Sequence, residues 1–289
     1  MPEKVLSYAR PTVRRIKANL SWIHTYLPVA AKPHSLPGLL IVSLTSYPPR
    51  FPTVYKTLVR LLHQSVKADR TILWIAPQDI GLLPEKVRAL QSKGLEIRPA
   101  PETGPYKKII PALQAFPDAF IVTADDDLDY DVHWLRDLLR DWDGRKNQVV
   151  FHRGHEIRMN DSGMPGPYAE WAFCIPGPRE HGEIFPTGAG GVLYPPHVLH
   201  DDVLREADFS RLAPHADDIW LFWMGRRAGA TYKKTARKQE IIERQGTQDA
   251  ALWRENLTNG ANDKHIARMI AEYGWPIRYA ASVPPRLTP

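Results

Sequence analysis

Two spacings of apolar residues alternate along residues 39 to 151. Compact apolar runs rich in β-branched side chains predict strands, and between them apolar positions recur at helical spacing. The predicted strands are residues 39–45, 71–76, 95–98, 120–124 and 149–151. The predicted helices are residues 53–66, 84–93, 109–115 and 133–142. Strands that alternate with helices predict an α/β fold with a mostly parallel central sheet flanked by helices, whose ligands bind at the carboxyl ends of the strands.

The pattern changes at both ends of the chain. Residues 1–36 combine apolar positions at helical spacing with arginines and lysines, which predicts one or two basic amphipathic helices. Such a helix either packs on the protein's own surface or on a partner subunit, or lies on an anionic membrane. The end after Val283 is rich in proline and predicts a tail. The sequence therefore divides into an extension (residues 1–36), one α/β domain (residues 37–275) and a tail (residues 276–289).

The chain is basic, with a formal net charge of +6 and a pI near 9.3. A positive surface attracts phosphates, anionic lipids or nucleic acids. The sequence contains none of the helix-turn-helix, zinc-finger or RNP patterns that read nucleic acids. We therefore expect no nucleic-acid partner.

Redox and targeting features favour the cytoplasm. The single Cys174 excludes an intrachain disulfide framework and fits a reducing compartment. No run approaches the roughly twenty apolar residues needed to span a bilayer, and the start lacks the order of a signal peptide. We expect a cytoplasmic protein, with residues 1–30 as its candidate contact with the inner face of the cytoplasmic membrane. The oligomeric state stays open.

The candidate chemistry centres on an acidic cluster that follows the strand predicted at residues 120–124. Five aspartates occur within the seven residues 125–131, and carboxylates this close repel one another unless a cation, basic groups or protonation relieves the repulsion. The carboxyl ends of parallel strands form the usual ligand-binding edge of an α/β sheet. The cluster therefore predicts a divalent metal site.

Three known patterns place aspartates in this way, and their spacing differs. An EF-hand loop needs a glycine at its sixth position and a glutamate at its twelfth, where this chain has Tyr130 and Arg136. Phosphatases of the aspartyl-phosphate type also follow a strand with Asp-x-Asp, but they expect a threonine or valine where Asp129 stands. The remaining pattern is the Asp-x-Asp of nucleotide-sugar transferases, in which carboxylates hold Mg²⁺ or Mn²⁺ against the donor's two phosphates.

Two further features suit a phosphate ligand. Lys107 and Lys108 stand near the start of a predicted helix, where positive charge opposes the helix dipole and an anion in the site would relieve it. A solvated pair of lysines is the alternative. The glycine-rich residues 188–191 permit close approach of the backbone to a ligand or a positive φ, although a tight turn explains such a run as well.

A second acidic pair, Asp217 and Asp218, precedes an apolar run that predicts a helix. Aspartate is a favoured N-cap residue, so capping alone accounts for one of the two. The functional interpretation is a general base. Removing the proton of an attacking sugar hydroxyl needs a carboxylate that lies near the donor but off the metal.

In this order and spacing, these features resemble the GT-A glycosyltransferases, above all the inverting family 2 type and its relatives in bacterial surface-polysaccharide synthesis. The similarity covers roughly residues 39 to 270. Its landmarks are the strand and loop from Val42 to Arg50, Pro105-Tyr106-Lys107-Lys108, Asp125-Asp126-Asp127, the segment from Gly188 to Tyr194, and Asp217-Asp218. The resemblance implies an α/β fold of the GT-A, Rossmann-like type.

The resemblance also implies roles for individual residues. The metal ligands would be Asp127 and Asp125, with His265 from late in the chain as a third; a solvated His265 is the alternative. The general base would be Asp218, and Asp217 stays open because the family commonly has Glu-Asp where this chain has Asp-Asp. The residues expected to bind the donor are Thr45, Ser46, Tyr47, Arg50, Lys107, Lys108, Asp125, Asp126, Gly190 and Gly191.

The implied reaction is a direct displacement that inverts the anomeric centre, with Mn²⁺ or Mg²⁺ as cofactor. The expected donor is a nucleoside-diphosphate sugar, UDP-linked before others, and the expected acceptor is a glycan or a lipid-linked glycan. A retaining transferase of the same fold is the nearest alternative. A noncatalytic module that binds nucleotide or anionic glycan is an alternative of another class. A nucleotidyltransferase ranks third, because no glycine-rich signature loop stands near the start of the chain.

Overall fold

The computed structural model describes residues 30–236 and 260–276. Its strands are β1 Lys32–Pro33, β2 Leu40–Thr45, β3 Val66–Lys67, β4 Arg70–Ile75, β5 Leu95–Pro99, β6 Phe120–Ala124, β7 Gln148–Phe151, β8 Gly154–Glu156, β9 Arg179–Glu180, β10 Ile184–Pro186, β11 Val192–Tyr194 and β12 Thr231–Lys234. Its α-helices are α1 Phe51–Leu62, α2 Glu85–Arg88, α3 Ile110–Ala115, α4 Trp134–Asp141, α5 Glu206–Leu212, α6 Asp217–Arg227 and α7 Ala261–Tyr273. Its 3-10 helices are Pro48–Arg50, Pro77–Leu82, Ala89–Lys93, Gly104–Lys108, Tyr168–Glu170 and Asp201–Leu204.

One eight-stranded sheet runs through the described residues in the order β5-β4-β2-β6-β11-β7-β12-β9. Its first four strands are parallel to one another. Strand β11 is antiparallel to both of its neighbours, β7 and β12 are parallel, and β9 is antiparallel to β12. The predicted α/β class, with a mostly parallel central sheet flanked by helices, is confirmed.

The central strands β2 and β6 are covered on both faces. All of β6 is buried, and in β2 only Thr45 is partly exposed. Strands with two buried faces show continuous apolar runs instead of alternation, as this sequence does. One face packs on α1 and α4 through a cluster that includes Leu58 and Leu138, and the other packs on α3 through Ile121 and Ala112. Helices on both faces leave the strand ends as the place for functional side chains.

The segment of residues 154–186 contains three short strands. Strands β8 and β10 form a separate antiparallel pair, and β9 extends the edge of the main sheet. Each has only two or three residues, too few to produce a periodic pattern in the sequence. Ring contacts of Tyr168 with Trp171, and of Phe185 with both Trp171 and Phe222 of α6, pack the segment on the domain.

Two sequence predictions concern residues outside the described ranges. The amphipathic extension predicted for residues 1–36 lies outside them up to residue 29, and the tail predicted for residues 276–289 lies outside them after residue 276. In the part of the chain that the structure describes, no helix has both the length and the apolar character needed to cross a membrane.

A glycine lets α4 and β11 approach each other closely. The indole N–H of Trp134 in α4 donates to the carbonyl of Gly190 at 2.5 Å. Gly191 has a φ of 104°, and a Cβ there would lie 2.6 Å from the Trp134 ring. Both the backbone conformation and the space therefore require glycine at position 191.

We predict that Gly191→Ala destabilises the protein more than Gly144→Ala does. Gly144 has a similar φ of 93° but no atom within 4 Å of a built Cβ, so both variants carry about 1–2 kcal/mol of backbone strain. The Gly191 variant adds an overpacking cost of about 1–3 kcal/mol. Urea denaturation of the two variants measures the difference. Equal free energies of unfolding would contradict the close packing of Trp134.

Candidate functional site

The predicted site residues other than His265 come from elements at the carboxyl edge of the parallel strands. The loop after β2 supplies Ser46 and Arg50, and the turn after β6 supplies the acidic residues 125–127. The 3-10 helix Gly104–Lys108 and the first turn of α6 complete the edge. The side chains form two groups, one around Arg50 and one around Lys108.

Arg50 holds two aspartates of the acidic turn. Its Nη1 lies 2.6 Å from Asp127 Oδ2 and 3.4 Å from Asp126 Oδ1. The Ser46 hydroxyl donates to Asp126 Oδ2 at 2.5 Å. The Arg50 side chain is buried, and its Nε has no hydrogen-bond partner in the described residues. The loop after β2 is thus bound directly to the acidic turn, and a role of Ser46 and Arg50 toward the donor stays a prediction.

Lys108 joins the acidic turn to α6. Its ammonium lies 3.0 Å from Asp125 Oδ1 and 2.9 Å from Asp217 Oδ2, and the side chain is buried. Its neighbour Lys107 is also buried but pairs with Glu102. The two lysines therefore have different environments, and a solvated pair, the alternative interpretation of this motif, is wrong.

A buried relay fixes the backbone of Lys108. The Trp74 indole N–H donates to Ser43 Oγ at 2.9 Å, and Ser43 Oγ donates to the Lys108 carbonyl at 2.6 Å. Sequence reasoning missed this relay, although a serine inside the apolar run of β2 is a signal for it. The relay thus fixes, from within the core, the backbone from which the Lys108 side chain projects.

Asp218 is held by the backbone of Gly188. The Gly188 N–H donates to Asp218 Oδ1 at 2.8 Å, and a Cβ on Gly188 would lie 2.8 Å from that oxygen and 3.0 Å from Lys108 Nζ. The residue before α6 is Ala216, so neither Asp217 nor Asp218 is the N-cap, and capping does not explain the pair. In the first turn both carboxylates still interact favourably with the helix dipole.

The remaining donor-binding predictions fall on residues with structural contacts of their own. Thr45 Oγ1 donates to the Trp74 carbonyl at 2.8 Å. Tyr47 stands directly before the 3-10 helix that carries Arg50. Gly190 and Gly191 contact Trp134. A role of these residues toward a ligand stays a prediction.

The other aspartates of the acidic turn stabilise its conformation. Asp129 Oδ1 pairs with Arg60 Nε at 3.1 Å, both side chains being buried, and Asp131 Oδ1 accepts from a backbone N–H two residues later. The Asp125 N–H donates to the Tyr130 hydroxyl at 2.7 Å. Tyr130, the residue that excludes an EF-hand, therefore helps to fix the backbone from which Asp125 projects.

Burial and mutual repulsion raise the pKa values of three carboxyl groups in the site, because both effects favour the protonated form. Burial raises the pKa of Asp126 to about 7, while Ser46 and Arg50 oppose the rise. Burial and the neighbouring Asp217 raise the pKa of Asp218 to about 7. Burial and Asp125 raise the pKa of Asp127 as well. The site is thus short of positive charge.

The donor set fits a divalent cation that is shared with a phosphate ligand. In the described residues, the ion pairs of two cationic side chains, Arg50 and Lys108, reach four of the five carboxylates of residues 125–127 and 217–218. Within the same residues no group of three or more His, Cys, Asp or Glu side chains is placed to hold a metal alone. Mg²⁺ commonly binds through one or two carboxylates plus water and substrate phosphates, and Asp125 and Asp127 are the candidates here.

His265 lies away from these aspartates. It is buried on α7 and interacts with the backbone of Leu212 at the end of α5, with His215 and Arg268 nearby. Burial lowers the pKa of its imidazole. The alternative of a solvated His265 is wrong, and the described residues do not bring His265 together with Asp125 or Asp127.

Comparisons with known proteins give likenesses of fold at low identity. Neither a protein-family model nor a curated protein matches the sequence. TarS 1-349 of S. aureus is 15% identical with a TM-score of 0.45, and its complex with UDP is 14% identical with a TM-score of 0.46. Each of these likenesses covers 70% of this chain and 59% of the TarS chain, so this chain spans less than two thirds of that length.

The inositol-1-phosphate CTP transferase of T. maritima is a further similar structure. It is 11% identical with a TM-score of 0.42, over 81% of this chain and 97% of the other. At these values the three likenesses assign neither an activity nor a ligand to this chain.

We predict that Lys108→Met lowers the free energy of unfolding more than Lys107→Met. Loss of the Lys108 ammonium leaves Asp125 and Asp217 unpaired in buried surroundings, which costs about 3–5 kcal/mol. Lys107→Met is the matched control, because its partner Glu102 is 46% exposed and can be solvated. Urea denaturation at neutral pH measures both variants. A smaller loss for Lys108→Met than for Lys107→Met would contradict the central place of Lys108.

Proposed function

We propose that the protein is a glycosyltransferase of the GT-A type that moves a sugar from a nucleoside-diphosphate donor to an acceptor hydroxyl. The observation that carries the proposal is the division of the carboxylates at one sheet edge. Asp125, Asp126 and Asp127 follow β6, whereas Asp218 lies in the first turn of α6 and is held by the Gly188 N–H. A transferase of this kind needs such a division, because one set holds the donor and the other accepts a proton.

The donor's diphosphate belongs beside the acidic turn. A Mn²⁺ or Mg²⁺ ion held by Asp125 and Asp127 would neutralise the charge that develops on the departing nucleoside diphosphate. Arg50 and Ser46 fix the turn, and Lys108 supplies a second positive charge at 3.0 Å from Asp125. The proposed donor is a UDP-sugar.

Asp218 is the proposed general base. The backbone N–H of Gly188 fixes Oδ1, and Oδ2 is the oxygen that we assign to the acceptor proton. Burial and Asp217 raise the pKa of Asp218 to about 7, which makes it a stronger base than an ordinary aspartate. Attack by the deprotonated hydroxyl opposite the leaving group inverts the anomeric centre. The proposed acceptor is a glycan or a lipid-linked glycan of a bacterial surface polysaccharide.

A second candidate is a noncatalytic module that binds a nucleotide without metal. The ion pairs of Arg50 with Asp127 and of Lys108 with Asp125 favour it, because both proposed metal ligands already have a cationic partner. Isothermal titration with UDP, with and without Mn²⁺, separates the two candidates. Binding that does not depend on Mn²⁺, with no sugar turnover, would favour the module.

We predict that nucleoside diphosphate is released from a UDP-sugar only with Mn²⁺ or Mg²⁺, and that Asp127→Asn removes this release. The substitution deletes a charged ligand, for which a loss of about 10²-fold or more is expected. A donor screen with an acceptor mixture measures release. Asp131→Asn is the control, because its carbonyl oxygen can still accept the backbone hydrogen bond of the turn. Full release without metal, or from Asp127→Asn, would overturn the metal role.

We predict that kcat/KM falls tenfold per pH unit below about pH 7, because Asp218 must be deprotonated to act as the base and its pKa is raised to about 7. The activity is present above this pKa and is lost as the pH falls through it. Asp218→Asn should lower kcat by about 10²–10⁴-fold and remove the acid limb. Near-normal transfer by folded Asp218→Asn, with an inactive Asp217→Asn, would move the base to Asp217.

A further inference from the structure

An aromatic ring lies exposed at the rim of the site. Phe173 is one of three large apolar side chains exposed in the described residues, at 38%. Its ring packs on His155 with centroids 4.5 Å apart and on Tyr168 at 5.5 Å. Tyr168 also packs on Trp171 in the core, so the exposed ring of Phe173 is supported by buried aromatic side chains. Phe173 therefore offers one flat apolar face in a fixed position.

A guanidinium group stands beside this ring. Arg153 Nη1 donates to Thr187 Oγ1 at 3.1 Å, and its Nε lies 3.3 Å from the Sγ of Cys174, the residue after Phe173. Across residues 30–236 and 260–276, no carboxylate lies within ion-pairing distance of Arg153, whereas Arg50 and Lys108 both have acidic partners. Among the residues that the structure describes, Arg153 thus carries a positive charge without an acidic partner, next to the residue that follows Phe173.

Arg153 is connected to the proposed base, Asp218, through two residues, Thr187 and Gly188. The Thr187 N–H donates to the Arg153 carbonyl at 3.0 Å. The next residue, Gly188, donates to Asp218 at 2.8 Å. Asp218 is also close enough to Tyr168 to contribute, after burial, to the raised pKa of that phenol. The backbone of Arg153 is therefore connected to Asp218 through Thr187 and Gly188, and Phe173 packs on Tyr168, which lies within electrostatic reach of Asp218.

We propose that Arg153 and Phe173 form the acceptor subsite and that the acceptor sugar is acidic. One face of the pyranose ring lies on Phe173, and its carboxylate binds the Arg153 guanidinium. This inference rests on the proposed function, since it takes Asp218 as the base. A uronic acid fits the pair because its carboxylate is attached directly to the ring that stacks. A planar carboxylate also matches the fork of donors on arginine.

Cys174 gives a direct measurement of binding. It is exposed, and it is the single cysteine of the chain, so N-ethylmaleimide labels one known position. A carboxylate on Arg153 would cover Sγ, which lies 3.3 Å from the guanidinium. We expect methyl glycosides of glucuronic or galacturonic acid at millimolar concentration to slow alkylation, with an affinity at least about tenfold higher than that of the neutral glycosides, as for one hydrogen bond to a charged group. The neutral methyl glucoside and galactoside should slow it far less.

Variants of the two residues separate the contributions. Protection by the uronide, as the ratio of rates with and without it, should disappear in Arg153→Ala and fall in Phe173→Ala. In Phe173→Tyr, which keeps an aromatic ring, protection by the uronide should equal that of the wild type. Arg158 is an exposed arginine of the same segment, and in Arg158→Ala the uronide should protect Cys174 as well as it does in the wild type. Thermal melting and UDP binding show that each variant is folded.

The outcomes decide between the two proposals. Equal protection by acidic and neutral glycosides, no protection by any of them, or full protection in Arg153→Ala would overturn the subsite. The alkylation experiment needs no donor and no turnover. A wild type that is protected by uronides but releases no nucleoside diphosphate from any donor would therefore contradict the proposed function, not the acidic-sugar site.

Discussion

The ammonium of Lys108, buried between Asp125 and Asp217, is the interaction on which the site depends. One carboxylate follows β6 and the other begins α6, so a single charge fixes the end of a strand against the start of a helix. A buried charge that loses its partner is strongly destabilising, which restricts the three groups to one arrangement. Ser43 and Trp74 fix the lysine backbone from within the core. The geometry of the edge is therefore set by the packing beneath it.

The absence of side chains at two glycines is a second constraint. At Gly188 it lets the backbone approach the carboxylate of Asp218 and the ammonium of Lys108, and at Gly191 it lets the chain pass over the Trp134 ring. Strand β11 follows directly and is antiparallel to β6, so the segment before β11 crosses the edge where the acidic turn ends. Because of this reversal the Gly188 N–H reaches an acid that is distant in the sequence.

Local signals in the sequence predict much of the fold and less of the site. The continuous apolar runs of β2 and β6 follow from burial on both faces, and the predicted strand at residues 120–124 coincides with β6. The difference between Lys107 and Lys108 has no local signal, because it depends on Glu102 and on Asp217, which is more than one hundred residues away. Burial of His265 likewise depends on the fold, since α5 covers it.

Charge balance relates the two groups of the site to each other. Arg50 forms ion pairs with Asp126 and Asp127, and Lys108 forms ion pairs with Asp125 and Asp217. In the described residues the carboxylates at this edge still outnumber these two cations. A nucleoside diphosphate brings further negative charge, so its entry alone would increase the repulsion that already favours protonation of Asp126 and Asp218. A divalent cation that enters with the donor reverses this balance. The pKa of Asp218 is raised first by burial and then by the adjacent Asp217, so the proposed base depends on the packing of the edge, whereas the proposed metal requirement depends on its charge.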